Sequence, residues 1–459
     1  MLQKINLPQE YQDPWKLFLQ LSSEFSEGFF FDAWGASKIT YMGFEPKSST
    51  AGEVAGPKEQ KLQKVIDQYL KQSQSLGKPD KYPFEGGLVA LLGYNCGAEF
   101  ESFPNKKKHS DHREDFYIAQ YETVIIFDPS TNEYFLAGEQ SSCLQKLIKT
   151  KTQIIQHDIS QIKSNDSGNA GNFNEITIKP FKTHTTPKSR AGEGVYSDWV
   201  NQTVEYIAAG DIFQANLAHP LEFNYEGSPF ELYSRVREYN PSPYGGICYK
   251  KDLFLLSNSP ELLFSNQDGR LVTRPIAGTR PRSESSDQDL ANKEELFLSE
   301  KEQAEHIMLV DLERNDLGRV SQPGSVQVEE LMECETYQNV FHIVSQVVGQ
   351  LRKECDIIDV IKALFPGGTI TGAPKIRSME IIDELETSDR QFYTGSMGWI
   401  GPNGNSELNI LIRSLILNPD ENGGVGRLQV GAGIVADSDP QKEWEETLAK
   451  AAAWMKFLR

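Results

Sequence analysis

The stretch Leu428-Gln-Val-Gly-Ala-Gly-Ile-Val435, Ala436-Asp-Ser-Asp-Pro440, then Gln441-Lys-Glu-Trp-Glu-Glu-Thr-Leu-Ala-Lys450 and on to Phe457 decides how this chain reads. Its first part is apolar and of strand length, and its last part has helical spacing. Asp439 is the expected N-cap and Pro440 occupies the first turn. The strand ends in Gly431-Ala-Gly433, and the helix carries Glu443 and Glu446, three residues apart and therefore on one face. A second Glu-x-x-Glu pair, Glu302 and Glu305, lies in a segment that reads as one long helix, Ala291–Leu312. Each pair alone reads first as solvated helix surface. Four carboxylates converging from two helices would instead form an oxygen-rich site suited to Mg²⁺, which takes few protein carboxylates and completes its shell with water and an anionic substrate.

Outward from these pairs, Gly28–Phe44 reads as a hairpin, and Gly86–Tyr94 and Phe116–Phe127 as further strands. Ser160–Phe173, rich in Ser, Asn, Asp and Gly, reads as a flexible connection. A helix is expected over Tyr196–Ala209, ended by Gly210, before a strand Ile212–Leu221. Strands around Gly245–Tyr249 and Phe254–Ser257 follow. Clustered helices and short strand connections predict an α+β fold rather than a doubly wound sheet. The expected division is 1–158, a linker 159–190, and 191–459.

The 459 residues include 65 acidic and 46 basic side chains, a net charge of −19. That charge argues against nucleic acid as a partner and leaves any anionic substrate dependent on cations held within the site. Five cysteines without a CxxC pair fit reduced thiols. The N-terminus lacks a signal pattern and no apolar run approaches a membrane span, so a cytoplasmic location without membrane contact is expected.

Several residues could carry chemistry. The Gly-rich loop Pro366-Gly-Gly-Thr-Ile-Thr-Gly-Ala-Pro-Lys375 precedes a helix, Ile376–Leu385, and could present backbone N–H groups to an anion or simply pack tightly. Arg413 lies in an apolar run, where a guanidinium serves either as a structural partner or as a carboxylate clamp. Lys450 reads as an i,i+4 partner of Glu446. Tyr393 and His342 fit a core as well as a site. Glu261 follows a strand and a Pro turn; there a carboxyl group is either an ordinary turn residue or, with a raised pKa, a general acid.

Six segments in order resemble the chorismate-utilising enzymes: Gly210-Asp-Ile-Phe-Gln-Ala-Asn-Leu217, Ser259-Pro-Glu-Leu-Leu263, Arg274-Pro-Ile-Ala-Gly-Thr-Arg-Pro-Arg282, Lys301–Val320, the Pro366–Lys375 loop and Gly431–Ala451. The match is dense over residues 190–458 and weaker over Phe29–Pro46. The family includes anthranilate synthase component I, aminodeoxychorismate synthase component I, and the isochorismate and salicylate synthases. The resemblance implies the large mixed or antiparallel-sheet, two-subdomain fold of anthranilate synthase component I. It also implies Mg²⁺ bridging the chorismate ring carboxylate to Glu305 and Glu446, with Glu302 and Glu443 in support. Arg413 and Tyr393 would hold the enolpyruvyl carboxylate, with the amides of Ala432 and Gly433, and the Gly431 to Gly433 segment, Lys450, Thr369 and Ala277-Gly278-Thr279 would line the pocket. Glu261 would be the general acid, and His342 matches a histidine tied to pyruvate elimination in anthranilate synthases.

Within the family, water-using members have a Lys where this chain has Gln214. Glutamine cannot take a proton, so ammonia is the expected nucleophile. No cysteine sits in a glutaminase-like elbow, so ammonia would come from a separate glutamine amidotransferase subunit. Gln-Ala-Asn-Leu, the Thr-Ile-Thr loop and Tyr393-Thr-Gly-Ser-Met-Gly-Trp-Ile400 resemble aminodeoxychorismate synthase. The tryptophan motif of anthranilate synthases is degenerate, as Phe30-Phe-Asp-Ala33 lacks its serine. Ala277 cuts the other way, because many aminodeoxychorismate synthases carry a nucleophilic Lys there. Aminodeoxychorismate synthase is therefore the expected activity and anthranilate synthase the alternative. A regulatory homologue without catalysis is disfavoured by the intact Glu261, Glu pairs, Arg413 and Lys450.

Overall fold

The structure is a computed structural model that describes residues 2–7, 11–54, 60–73, 79–101, 114–138, 178–283, 285–421 and 423–458. The connection expected over Ser160–Phe173 lies outside them.

Runs such as Gly28-Phe-Phe-Phe-Asp-Ala-Trp34 and Gly87-Leu-Val-Ala-Leu-Leu92 are apolar at successive positions, so strands built from them can bury both faces. They do. Phe29 and Phe31 join one apolar cluster while Phe30 joins another, and Val89 and Leu91 face away from Leu88, Ala90 and Leu92. The two sheets therefore pack face to face through Phe29, Phe31, Val89, Leu91, Met397, Trp399 and Ile416. Helices cover both outer faces. Pro14–Ser22, Pro229–Tyr239 and Ala452–Met455 lie over one sheet, and Lys61–Ser73, Glu300–Gly318 and Ile357–Leu364 over the other.

The larger sheet runs in the order Gln3–Ile5, Glu133–Gly138, Thr123–Asp128, Ile39–Phe44, Gly28–Trp34, Tyr244–Lys250, Leu253–Ser259, Ser414–Asp420, Gly423–Ile434, Gln214–Glu226 and Lys188–Ser189. The smaller runs Ile276–Pro281, Val340–Gln350, Arg270–Arg274, Leu262–Gln267, Ser406–Asn409, Ser396–Ile400, Gly87–Leu92, Phe116–Tyr121 and Ser48–Gly52, with Gln327–Thr336 on Val340–Gln350. The pairings are antiparallel, which is the expected α+β class. Both sheets draw strands from residues 3–138 and from the part of the chain after residue 181.

Three expectations need correction. Phe116–Phe127 is two strands in different sheets, Phe116–Tyr121 and Thr123–Asp128, with Glu122 at the crossing. Ala291–Leu312 is not one helix. Ser299 adopts an extended backbone (φ −70°, ψ 103°), ends Ser286–Leu298 and caps Glu300–Gly318 by accepting from the Glu302 N–H. The helix Gln441–Phe457 is Pro440–Lys450 followed by a short turn of helix, Ala452–Met455. The N-cap does hold: Asp439 accepts from the Lys442 N–H.

Candidate functional site

Glu261 sits at the turn between strands Leu253–Ser259 and Leu262–Gln267 and is 3% exposed. Its backbone is pinned on both sides. Its N–H donates to Ser259 Oγ at 3.2 Å, and its carbonyl accepts from the Ile410 N–H at 3.0 Å. The carboxyl is less tied, since Oε1 makes no hydrogen bond among the described residues. Burial pushes its pKa up to about 7; the nearby Thr369 hydroxyl, the Ile276 N–H, Arg413 and Lys450 pull the other way. A carboxyl group so placed is protonated and deprotonated around neutral pH, as a general acid requires.

Arg413 lies between Ser406–Asn409 and Ser414–Asp420 in the left-handed region (φ 49°), a conformation that costs a non-glycine residue energy and persists only where its surroundings impose it. Trp454 Nε1 (2.9 Å) and the Asn258 N–H (3.2 Å) both donate to its carbonyl. The guanidinium makes no ion pair among the described residues, and its environment disfavours charge mainly through burial, relieved by Glu261 and Tyr337.

The glycine strand forms one wall. Gly423–Ile434 pairs along its length with Gln214–Glu226, bringing Gly433, Ala432 and Gly431 opposite Asn216, Leu217 and Ala218. Pairing on its other edge stops at Leu428. The second edge of Gly431–Gly433 is thus free of strand partners, so amides directed there can reach an anion. Both glycines sit close to their neighbours: a Cβ on Gly431 would lie 2.7 Å from the Leu217 carbonyl and 2.8 Å from the Tyr393 hydroxyl, and one on Gly433 would lie 2.4 Å from Gln214 Nε2. Gln214 Oε1 has no partner among the described residues. Lys450 Nζ donates to Glu446 Oε1 (2.8 Å), the expected i,i+4 pair, and also to the Gly431 carbonyl (3.1 Å).

Under this wall lies a buried ion pair invisible to motif reading. Arg390 and Glu386 are 2% and 3% exposed. The guanidinium donates to Glu386, to the carbonyls of Asn216 and Ile370, and to Thr394 Oγ1. It thereby fastens the Gln214 strand, the Thr369 turn and the Tyr393 segment together. Glycines in the Pro366–Lys375 loop are closely packed: a Cβ at Gly368 would meet Leu312 Cδ2 at 2.3 Å, and one at Gly372 the Gln214 carbonyl at 2.1 Å.

Ala277-Gly278-Thr279 lies in Ile276–Pro281 against Val340–Gln350, where a bulge at Gly278 (φ 66°) interrupts the register between Ala277↔Ile343 and Thr279↔His342. His342 Nδ1 is 3.0 Å from Thr279 Oγ1 and 3.2 Å from the Gly278 carbonyl. A carbonyl only accepts, so the Gly278 contact is a hydrogen bond when Nδ1 carries the hydrogen and the lone pair is on Nε2, whereas the Thr279 hydroxyl can donate to Nδ1 in the other tautomer; Nε2 has no partner among the described residues. Burial and Arg413 hold the imidazole neutral, its pKa down to about 4. Tyr337 packs edge-on against the His342 ring at 5.6 Å.

The two Glu pairs lie within electrostatic reach of each other. Glu305 is pushed up to about 7, chiefly by burial; Glu302, Asp437 and Glu446 push it further and Lys301 opposes them. Burial and Glu446 likewise raise Glu443. Convergence is only partial, however. Among the described residues no three His, Cys, Asp or Glu side chains stand close enough to enclose a metal ion. Each carboxylate has a local partner instead: Arg280 at 3.1 Å for Glu302, Lys301 at 3.8 Å for Glu305, Ser438 at 2.7 Å for Glu443 and Lys450 for Glu446. The donor set still fits Mg²⁺, whose sites use one or two carboxylates plus water and substrate oxygens. Asp437, Lys301, Arg280 and Tyr337 join the site without having been singled out in the sequence, although the first three lie inside its motifs.

Comparison with known proteins matches this geometry to a family. The model of chorismate binding enzymes matches residues 27–456. Aminodeoxychorismate synthase component 1 of Bacillus subtilis (strain 168) is 39% identical over 378 residues, covering 82% of this chain and 77% of the relative. Anthranilate synthase component 1 of Aquifex aeolicus (strain VF5) is also 39% identical over 378 residues, covering 82% and 74%. The crystal structure of anthranilate synthase component I from Streptococcus pneumoniae TIGR4 superposes with a TM-score of 0.72 at 29% identity, over 92% of each chain. The menaquinone-specific isochorismate synthase of Escherichia coli, 17% identical with a TM-score of 0.72 over 100% of this chain and 94% of its own, shares the fold. With that fold and a match over nearly its whole length, the chain belongs to the chorismate binding enzymes, as one of the anthranilate and aminodeoxychorismate synthase type.

Proposed function

We propose that this chain is component I of an aminodeoxychorismate synthase, converting chorismate and ammonia to 4-amino-4-deoxychorismate. The carrying observation is the pairing of a neutral-range acid, Glu261, with an ion-pair-free guanidinium, Arg413, beside a site whose nucleophile position holds Gln214. Arg413 would clamp the enolpyruvyl carboxylate in bidentate fashion, aided by the Tyr393 hydroxyl and amides of Gly431–Gly433. Burial and the Ser259 and Ile410 contacts hold Glu261 ready to protonate the departing ring hydroxyl. Gln214 cannot deprotonate water, so the nucleophile would arrive as ammonia, already competent to attack, from a glutamine amidotransferase subunit.

Glu305 and Glu446 would hold Mg²⁺, with Glu302 and Glu443 in support. When bound, the ion would neutralise their repulsion and supply the positive charge that the ring carboxylate needs in an acidic protein.

A second reading has its own support. Ala277 offers no amine for a covalent adduct, and Nε2 of His342, in the tautomer that leaves its lone pair there, suits a base for pyruvate elimination. Both favour anthranilate synthase, the activity of the Aquifex relative. Product identity separates the two. The chain is incubated with chorismate, Mg²⁺ and ammonium. A non-fluorescent amino product retaining pyruvate, converted to 4-aminobenzoate by added lyase, supports the first reading. A fluorescent product without lyase establishes anthranilate and overturns it.

A further inference from the structure

The helix Glu300–Gly318 that carries Glu302 and Glu305 near its start buries a third glutamate eight residues beyond Glu305, about 12 Å along the axis. Glu313 is 5% exposed, and neither its position nor its neighbours belong to the metal pairs. Its carboxyl lies against the Gly368–Ile370 turn, where a Cβ on Gly368 would be 3.6 Å from Oε1. The next residue of that turn is Thr369, whose hydroxyl lies beside Glu261. Glu313 also neighbours Thr273, in the strand whose Arg274 pairs with Leu262, the residue after Glu261. Two buried carboxyl groups thus flank one turn.

We propose that Glu313 is a positioning residue acting through Glu261, the two carboxyl groups titrating as one pair. The inference rests on Glu261 being the proton donor. The charged groups facing Glu313 are Asp316 on its own helix, Lys375 at the start of the helix Lys375–Leu385, and Glu261; those facing Glu261 are Arg413 and Lys450. Lys375 favours the ionised form of Glu313 but offsets its burial only in part, because it is committed to Asp316 at 2.5 Å and to the Leu364 carbonyl at 3.3 Å. Glu313 is pushed up to about 8, mainly by burial and further by Asp316 and Glu261. Once one member of such a pair ionises, its charge holds the proton on the other.

The arrangement matters at turnover. As the new C–N bond forms and the ring C–O bond breaks, the Glu261 proton leaves in the water released. The added ammonia's surplus proton then restores it, so atoms and charge balance. In between, Glu261 is a carboxylate, and a neutral Glu313 spares the pocket a second buried negative charge. As pH rises instead, Glu313 shares in the ionisation and keeps some Glu261 protonated above the pH at which a lone acid would have lost its proton.

The test is the alkaline limb of kcat in the ammonium-dependent reaction. Glu313→Gln should lower its midpoint by about one pH unit and sharpen it into a single titration, while Glu313→Asp, which keeps an acid, should return it towards wild type. Thr273→Val withdraws the hydroxyl that favours ionised Glu313 and should shift the limb the same way by less; this variant decides the matter if Glu313→Gln fails to fold. An unmoved limb in Glu313→Gln, or an equal displacement in Glu313→Asp, overturns the pairing. Glu261→Gln run alongside separates the two failures. If it retains turnover, the reading of Glu261 falls; if it is dead and the limb is unmoved, only the pairing falls.

Discussion

Replacing Arg390 with methionine should cost this protein about 3–5 kcal/mol of stability, because it strands a buried carboxylate. All five guanidinium N–H groups have acceptors: Nε and Nη2 on Glu386, Nη2 also on the Asn216 carbonyl, and Nη1 on the Ile370 carbonyl and Thr394 Oγ1. After substitution Glu386 keeps the Ala218 N–H at 2.8 Å and the more distant charge of Arg427, but has no directly paired cation among the described residues. The double variant Arg390→Met/Glu386→Leu removes both charges, and replacing a whole buried pair by apolar groups is often neutral or better. It should therefore recover at least half of the loss. Two carbonyls still lose a donor, at about 1–3 kcal/mol each if no water replaces it, so full recovery is not expected. Urea unfolding of the three proteins gives the stabilities, and KM for chorismate gives the second readout. Asn216, Ile370 and the Tyr393 segment lose their common fastening in both variants, so KM should rise in both. A single-variant cost below about 1 kcal/mol would refute the assignment of an uncompensated buried charge. A double variant with unchanged KM would show that the guanidinium is not what aligns the pocket.

Glu446→Gln should abolish turnover, and near-normal rates at saturating Mg²⁺ would mean the metal is held elsewhere. Gln214→Lys should introduce some water addition, detected as isochorismate by mass and chromatography; its absence would undercut the nucleophile argument. Ala277→Lys, at the edge of the Gly278 bulge, should trap a mass adduct with chorismate, whereas an unmodified mass would count against that strand lining the ring. Glu407 gives a pH prediction of definite sign. Burial alone raises this carboxyl group to about 7 in the folded protein, against 4.5 in the unfolded chain. Folding therefore retains a proton that the unfolded chain releases, and stability falls as pH rises from about 4.5 to 7. The loss approaches about 3 kcal/mol. Glu407→Gln should be free of that loss, so its advantage over wild type in urea should grow over this pH range; a constant gap would refute the shift.

What was legible in the sequence follows from how local each signal is. The cap at Asp439, the i,i+4 pair of Lys450 with Glu446, and the hairpin Gly28–Phe44 are set within a few residues, and the structure reproduces them. The break at Ser299 was hidden because helical spacing continues through it from Ala291 to Leu312. Only the serine's competing role as a cap interrupts the helix, and that role redirects the start of the helix carrying Glu302 and Glu305. Phe116–Phe127 misled for a related reason. Both halves have strand composition, and nothing local says that the chain changes sheets at Glu122.

Arg390, Glu386, Glu313 and Glu407 were missed for a deeper reason. A charged residue in a polar-looking stretch reads as surface, and only tertiary packing reveals that it is buried. The consequence reaches the chemistry. An acidic protein that binds a dianion must separate its negative charges into those neutralised by metal or arginine and those kept protonated. Glu302, Glu305, Glu443 and Glu446 share their surroundings with Lys301, Arg280 and Lys450, and a cation would complete their neutralisation. Glu261 and Glu313 lie deeper, where burial outweighs the nearest cations and favours the neutral acid. On the proposed reading, substrate charge would be met near the start of the helix Glu300–Gly318 and the acid paired with Glu261 would lie near its end. A substitution at Glu313 should accordingly move the pH profile while leaving the Mg²⁺ requirement unchanged, whereas Glu446→Asp, which keeps a carboxylate and so some turnover, should raise the Mg²⁺ requirement and leave the profile in place.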